Sequence, residues 1–382
     1  MNMHKQPIVW IDEQGALAEC LSYLSEQTLV ALDTEFERSK TYYPKAGLIQ
    51  LSDGNTNYLI DPLAIGNLDG LAELLVNTAL VKAVHSCSED LDVLHTLLGV
   101  IPVKILDTQI AAAIAGHGFS MGFGNIIKAL FEVDLPKDVT RSDWLQRPLS
   151  AKQLDYAALD VEYLFKLAQK LIAQLECQQR LDWVFEDYQK MANDFNAGLD
   201  DSRAHLRIKQ AWKLDPREYA ILRELAQWRE QTARRRDLPR NRVLKEHVLL
   251  SLAQVQPQNN QQLRHIDGVN ERVIRADAEA IFAAIKAGME QPCENLPEPP
   301  KRPVNGRDAA LLDELKAEVA EVAEELQVPS EILAKKKDFQ ALLCPESPAK
   351  PGDMPESLKG WRESVISQQL VTMVRVHNDN AG

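Results

Sequence analysis

Long apolar stretches are the first thing this 382-residue sequence lacks. No run of about 18 consecutive apolar residues occurs, so no membrane-spanning helix is expected. The early apolar patch Ile8-Val9-Trp10-Ile11 is cut off by Asp12 and Glu13, which does not fit a secretory signal peptide. Cysteine is scarce and scattered over Cys20, Cys87, Cys177, Cys293 and Cys344. No C-x-x-C occurs, so neither a zinc site nor a disulfide framework is indicated, and a reducing, cytoplasmic setting fits. An overall excess of positive charge is missing too. The formal net charge of −13 argues, taken alone, against nucleic acid as a partner. The length allows two or three domains, each with its own core.

What is present is organised around residues 28–38, TLVALDTEFER. The run Leu29-Val30-Ala31-Leu32, bounded by polar positions, reads as a buried strand. Side chains alternate along a strand, so Asp33 and Glu35 share a face roughly 6–7 Å apart. Two carboxylates ending a buried strand repel each other and lose solvation. A hard divalent ion between them, Mg²⁺ or Mn²⁺, removes both problems, because every donor offered is oxygen. For D-x-E alone, a solvated strand end explains the pattern equally well.

Further elements follow in an order that suggests one mixed sheet with helices packed on it. A helix is expected over 14–26. Strands at 47–52 and 57–61 read as a hairpin around Asp53-Gly54. A helix at 69–78, strands at 80–84 and 103–107, and helices to about Leu98, at 108–115 and at 122–131 complete this half. Asp90 falls in the first turn of the helix after 80–84, with Ser86 or Ser88 as cap. There it either serves a site or complements the helix dipole. Ser150-x-x-Gln153 is a capping box that starts a helix near 151. Tyr156 and Asp160, at i and i+4, share one of its faces.

The basic residues missing from the total are concentrated in one place. From Arg203 to Lys245 there are 13 Lys/Arg against 5 Asp/Glu. Arg234, Arg235, Arg236, Arg240, Arg242 and Lys245 cluster around Leu238-Pro239, with Trp212, Tyr219 and Trp228 interleaved. Such a run is either a solvated face or a nucleic-acid contact. Residues 176–203 read as a helical connector and the proline-rich stretch 291–304 as a linker. From Pro303 to Gly382 the count is 9 basic to 14 acidic, which argues against electrostatic RNA binding there.

The acids and the tyrosine stand in the order D-x-E … D … Y-x-x-x-D. This resembles the DEDDy branch of the 3′→5′ exonucleases. The blocks ALDTEFER, TYYPKAGLIQLSDG, HSCSEDLDVL, LDTQIAAA, TRSDWLQRPLS and LDYAALDVEYL are similar to the ribonuclease D family in the same order. REYAILRELAQWRE, RDLPRNRVLKEHVLLSLA and LRHIDGV resemble an HRDC domain, and residues 305–382 look like a second, divergent copy.

The resemblance implies an α/β ribonuclease H-like exonuclease domain over 1–175, a mixed sheet flanked by helices, then two all-α HRDC domains at 204–290 and 305–382. It carries over Asp33, Glu35, Asp90, Tyr156 and Asp160 as catalytic residues, with the four acids holding two divalent metal ions. It implies trimming of RNA 3′ ends, chiefly of precursor tRNA, by a protein that is a monomer by default and has no membrane partner. Arg141 and Arg147 are candidate phosphate contacts, as are Arg234, Arg235, Arg236, Arg240 and Arg242. Trp144 either stacks on substrate or packs in the core. Lys40, Tyr42 and Tyr43 are candidates to line the path of the 3′ end. The loop of Gly116, Gly118, Gly122 and Gly124 is a candidate substrate contact, and His85 faces the site or is a structural histidine. A DNA exonuclease of the same fold, or a non-catalytic nucleic-acid adaptor, are the alternatives.

Overall fold

The apolar segments of the first half pair into one six-stranded sheet. It is seen in a computed structural model that describes residues 6–136, 142–302, 309–344 and 352–381. β1 (Ile8–Ile11) is followed by α1 (Gln14–Ser25), then β2 (Leu29–Glu37), β3 (Lys45–Ser52) and β4 (Asn57–Ile60). Next come α2 (Asp69–Val76), β5 (Val81–Val84), α3 (Ser88–Leu98), β6 (Ile105–Asp107), α4 (Thr108–Ile114) and α5 (Phe123–Phe131). The strand order is β1-β4-β3-β2-β5-β6. β2, β3 and β4 form an antiparallel meander, while β1, β5 and β6 join in parallel.

Two of these strands differ from the sequence expectation. The patch at 8–11 becomes β1, because β4 offers it an unpaired parallel edge (Ile8↔Asn57 to Ile11↔Ile60). β2 does not stop at Asp33. It stays paired with β3 through Glu37↔Lys45, with a bulge between Glu35 and Phe36.

α6 (Ala151–Cys177) begins at the expected capping box, with both reciprocal bonds between Ser150 and Gln153 formed. It lies over one face of the sheet, packing Val161, Leu164 and Phe165 on Ala31, and Ala157 against Leu48 and Leu59. The opposite face is covered by α1, α2 and α3. Within the expected helical connector at 176–203 lies α7 (Leu181–Gly198). It buries Val184, Tyr188 and Ala192 in the cores of both sheet faces, and Tyr188 donates its hydroxyl proton to the Pro102 carbonyl.

The rest of the chain is helical. A first module contains α8 (Pro216–Arg236), α9 (Arg240–Val243), α10 (Glu246–Val255), α11 (Asn260–Arg264) and α12 (Glu271–Met289) around its own core. The second contains α13 (Ala309–Leu326), α14 (Ser330–Leu333), α15 (Lys336–Leu343) and α16 (Gln368–Ala381). Its core is continuous with that of the sheet domain: Leu315, Leu342 and Leu370 belong to the same cluster as Ile114, Leu171 and Val184. Trp361 stacks on Trp183 at 4.1 Å with rings 4° from parallel, and Arg362 pairs with Asp187 through two oxygens. No helix among the described residues is long and apolar enough to cross a membrane.

A Trp361→Ala substitution therefore opens a seam between two parts of one core. It is expected to cost about 3 kcal/mol, lowering the unfolding midpoint in calorimetry and exposing the second module to limited proteolysis. An unchanged midpoint and digestion pattern would show that this stack does not fasten the module.

Candidate active site

The bulge after Glu35 lets β2 turn away just beyond its two carboxylates, while α6 crosses overhead with small residues at Ala157 and Ala158. One turn further along α6, Asp160 comes down on the strand end. The carboxylate oxygens of Asp33, Glu35 and Asp160 lie within 4.8 Å of one another, the grouping with metal-ligand spacing among the described residues. Asp90 stands outside that trio. It is 8% exposed and accepts a hydrogen bond of 2.5 Å from the Thr34 hydroxyl. Tyr156 donates its hydroxyl to Asp160, and its ring sits 6.2 Å from that of Trp144.

These acids have no counter-charge. Among the described residues no Lys or Arg forms an ion pair with any of the four. Burial, and then the neighbouring Asp33, Asp160 and Asp90, push Glu35 up to about 9. Burial and Asp160 raise Asp33. Burial and Asp33 raise Asp90 against the opposing pull of Thr34. Burial raises Asp160 although Tyr156 donates to it. Tyr156 itself, buried beside Asp160 and Glu35, is driven well above the ordinary tyrosine range. Carboxylates crowded in this way, with oxygen as the only donor type, fit a hard divalent cation.

Two supporting residues were not singled out from sequence. Gln50 is opposite Asp33 in the β2–β3 register, is fully buried, and neither polar atom of its amide has a partner. Its signal was a polar residue inside the apolar run LIQLS. Asp107 is buried and accepts the backbone N–H groups of Ser86 and Cys87, which fixes the turn that presents Asp90. Cys87, not Ser86 or Ser88, is the cap of α3, and it makes no side-chain cap bond.

Several candidate RNA contacts are occupied inside the protein. Trp144 is 3% exposed and packs in the core with Leu48 and Leu149. Arg147 grips the buried Asp61 through Nε and Nη2 and also donates to the Gly47 and Trp144 carbonyls. Burial raises the Asp61 carboxyl, but the Arg147 bonds outweigh this and leave it below its usual range. A Cβ at Gly47 would come within 2.5 Å of the Trp144 carbonyl oxygen, so only glycine admits this loop. Arg240 pairs with Glu230, Arg234 with Asp201, and Arg236 with Asp277. Arg235 and Arg242 remain exposed, and Arg141 lies outside the described residues.

The neighbours of the site sort in the same way. Tyr42 is 9% exposed and its hydroxyl meets Glu230, Arg234 and Arg240 of the first module. Tyr43 stays exposed at 38%, but its N–H is held by Asp237. His85 is hydrogen-bonded on both ring nitrogens, to Thr108 and to the Met121 carbonyl, as a structural histidine is. Within the glycine loop Gly116 abuts Gln327 of the second module, while a Cβ at Gly122 would meet nothing.

Comparison with known proteins agrees with this geometry. Residues 8–176 match the family model described as 3′-5′ exonuclease, 218–285 the HRDC domain, and 309–370 the ribonuclease D C-terminal HRDC domain. A ribonuclease D of Pseudomonas paraeruginosa is 40% identical over 364 residues, covering 95% of this chain and 96% of that protein. The ribonuclease D of Escherichia coli is 33% identical, covering 96% and 98%. The crystal structure of Escherichia coli RNase D, described as an exoribonuclease involved in structured RNA processing, superposes with a TM-score of 0.89 at 32% identity. It covers 97% of this chain and 100% of that one. With matching fold, matching modules and near full-length similarity, this chain belongs to the ribonuclease D family of 3′→5′ exoribonucleases.

Proposed function

We propose that this exoribonuclease works with two divalent metal ions, Mg²⁺ or Mn²⁺. Its substrates are the short 3′ trailers of precursor tRNA and other structured RNAs, from which it releases 5′-mononucleotides. The observation that carries the reading is the uncompensated trio Asp33, Glu35 and Asp160. These three would hold one ion. Asp33 and Asp90, whose carboxyl is raised by the charge of Asp33, would share the second. When bound, such ions supply charge neutralisation at the phosphoryl oxygens, a water of lowered pKa and stabilisation of the leaving 3′-oxygen.

The side chains around them do the positioning. Tyr156 donates its proton to Asp160, and burial beside Asp160 and Glu35 drives its pKa well above the ordinary tyrosine range, so its hydroxyl oxygen would orient the attacking water as an acceptor and is a poor general base. Thr34 holds Asp90 in place, and Asp107 holds the turn beneath it. Arg235 and Arg242, exposed on the first module, would touch backbone phosphates of the RNA body. The protein acts in this reading as a cytoplasmic monomer.

Digestion of 5′-labelled single-stranded RNA in Mg²⁺ or Mn²⁺ tests the proposal. Stepwise shortening from the 3′ end, abolished by EDTA and weak on matched DNA, is expected; activity that survives chelation would overturn it. Tyr156→Phe is expected to lower kcat by about 10²-fold, the scale of one lost transition-state hydrogen bond, with KM little changed. Full turnover in that variant would remove the tyrosine from the mechanism.

Thermal stability gives a readout independent of catalysis. Carboxyls whose folded pKa is raised keep protons that the unfolded chain releases. The metal-free protein is therefore expected to lose stability as pH rises from about 4, the ordinary carboxyl value, through the folded value of about 9 for Glu35. Mg²⁺ needs the ionised carboxylates, so it should raise the unfolding midpoint more at pH 8 than at pH 5.5. Glu35→Gln should flatten the metal-free decline. A metal shift of equal size at both pH values would contradict this account.

A further inference from the structure

Both helical modules meet the catalytic domain through the same turn. In each, the long first helix ends in a left-handed residue, Asp237 (φ 47°) or Gln327 (φ 56°). A one-turn helix capped by Pro239 or Pro329 follows, then a helix capped by Lys245 or Lys335. In the first module this turn is closed. Asp237 accepts the N–H groups of Tyr42 and Tyr43, and the Arg240 guanidinium lies 4.9 Å over the buried Tyr42 ring.

In the second module the corresponding turn is open. The Gln327 carbonyl oxygen would be 2.6 Å from a Cβ at Gly116, so the two parts are in contact there. Beyond that contact they diverge. Lys335 lies 5.4 Å over the ring of Phe119, and that ring is 41% exposed. Behind it is a cleft of about 440 Å³ lined by Phe119, Lys335, Lys337, Ser86 and Ser88. Ser88 begins the helix that carries Asp90. The cleft thus reaches from the second module to the N-terminus of α3, two residues before Asp90, and its volume is in the range of small-molecule sites.

The charges in the cleft narrow its occupant. Asp107 is engaged by four backbone N–H groups, Asp187 by Arg362, and Asp338 by the Lys335 N–H. Asp194 and Glu331 also line it, so the cleft is near charge balance. A ligand held by long-range attraction alone would find little here. A ligand with a flat aromatic face and a local phosphate matches an exposed phenyl ring beside two lysines.

We propose that this cleft is a subsite for single-stranded RNA directly upstream of the 3′-terminal nucleotide. One base stacks on the open face of Phe119, and the adjoining phosphate is held by Lys335 and Lys337. Stacking on a phenyl ring tolerates any base, so the subsite grips without selecting sequence. The proposal rests on the exoribonuclease reading only for the direction in which the strand runs.

The test uses the full-length chain with Phe119→Ala, Phe119→Trp and the double variant Lys335→Ala/Lys337→Ala. KM and kcat are measured on a length series of RNA oligomers in Mg²⁺, and binding of a fluorescent ten-nucleotide RNA is measured by anisotropy in EDTA. Phe119→Ala and the double variant should each weaken binding and raise KM for the longest oligomer roughly tenfold, the scale of one lost stacking contact. The value of kcat and the KM of the shortest cleavable oligomer should not move, and Phe119→Trp should behave as wild type. An equal loss at every length, or no loss at any, overturns the subsite. RNA binding in EDTA that depends on Phe119, from a chain that cleaves no RNA in Mg²⁺ or Mn²⁺, would uphold the subsite and overturn the catalytic reading alone.

Discussion

The mutual repulsion of Asp33, Glu35, Asp90 and Asp160 is the constraint on which the rest of the structure depends. Asp90 and Asp160 are buried and Asp33 and Glu35 half-buried, and four acids so crowded, with no basic partner among the described residues, are unstable as anions. A fold can keep them together only if each is tied to an element that cannot move away. Asp33 and Glu35 are fixed by the pairing of β2 with β3, and the strand is held from its other side by β5 as far as Ala31. Asp160 is fixed by a 27-residue helix packed across the sheet, and Asp90 by Thr34 and the turn that Asp107 clamps. The repulsion so stored is what a divalent cation relieves, and metal affinity and metal-free instability are two faces of one arrangement.

Neutralisation is handled in the opposite way at the domain joints. Glu230 is 1% exposed, yet the Arg240 hydrogen bonds and the Tyr42 hydroxyl outweigh its burial and hold its carboxyl down at about 2. Asp61 is likewise held by Arg147. These acids therefore do different work: Glu230 and Asp61, each given an arginine, hold a module and a loop in place, while Asp33, Glu35, Asp90 and Asp160 form the site. The pKa shift is downward for the first two and upward for the four.

How much of this was legible in the sequence follows the same division. Asp33 and Glu35 could be placed because a β-branched run ends at a D-x-E, and α6 because Ser150 and Gln153 announce its start. Local patterns of that kind survive into the structure. The arginines could not be placed: Arg147 finds Asp61 86 residues away, and Arg240 finds Tyr42 198 residues away. A basic run says that positive charge is present, and nothing about which buried acid will consume it. β1 was hidden because four apolar residues make a strand only when an edge is waiting for them. Gln50 was hidden because a lone amide in an apolar run gains meaning only from the carboxylate across the sheet.

The two modules show how one turn serves two ends. In both, a left-handed residue and a proline-capped helical turn are presented to a loop of the catalytic domain. The first module follows this with Arg240 against a buried tyrosine and an acid beneath it, so the joint is sealed by charge and by a ring. The second has glutamine where the first has aspartate, and lysine beside an exposed phenylalanine. It is fastened by Trp361 on Trp183 and by Arg362 on Asp187, and the Arg362–Asp187 pair itself lines the cleft. Because that anchor on α7 carries the mechanical load, the Lys335 turn has no need to close. A sealed joint would block the approach to α3, and an unanchored module would leave no cleft. The division of labour between the anchor on α7 and the open aromatic turn is what leaves a cleft at the start of the helix that carries Asp90.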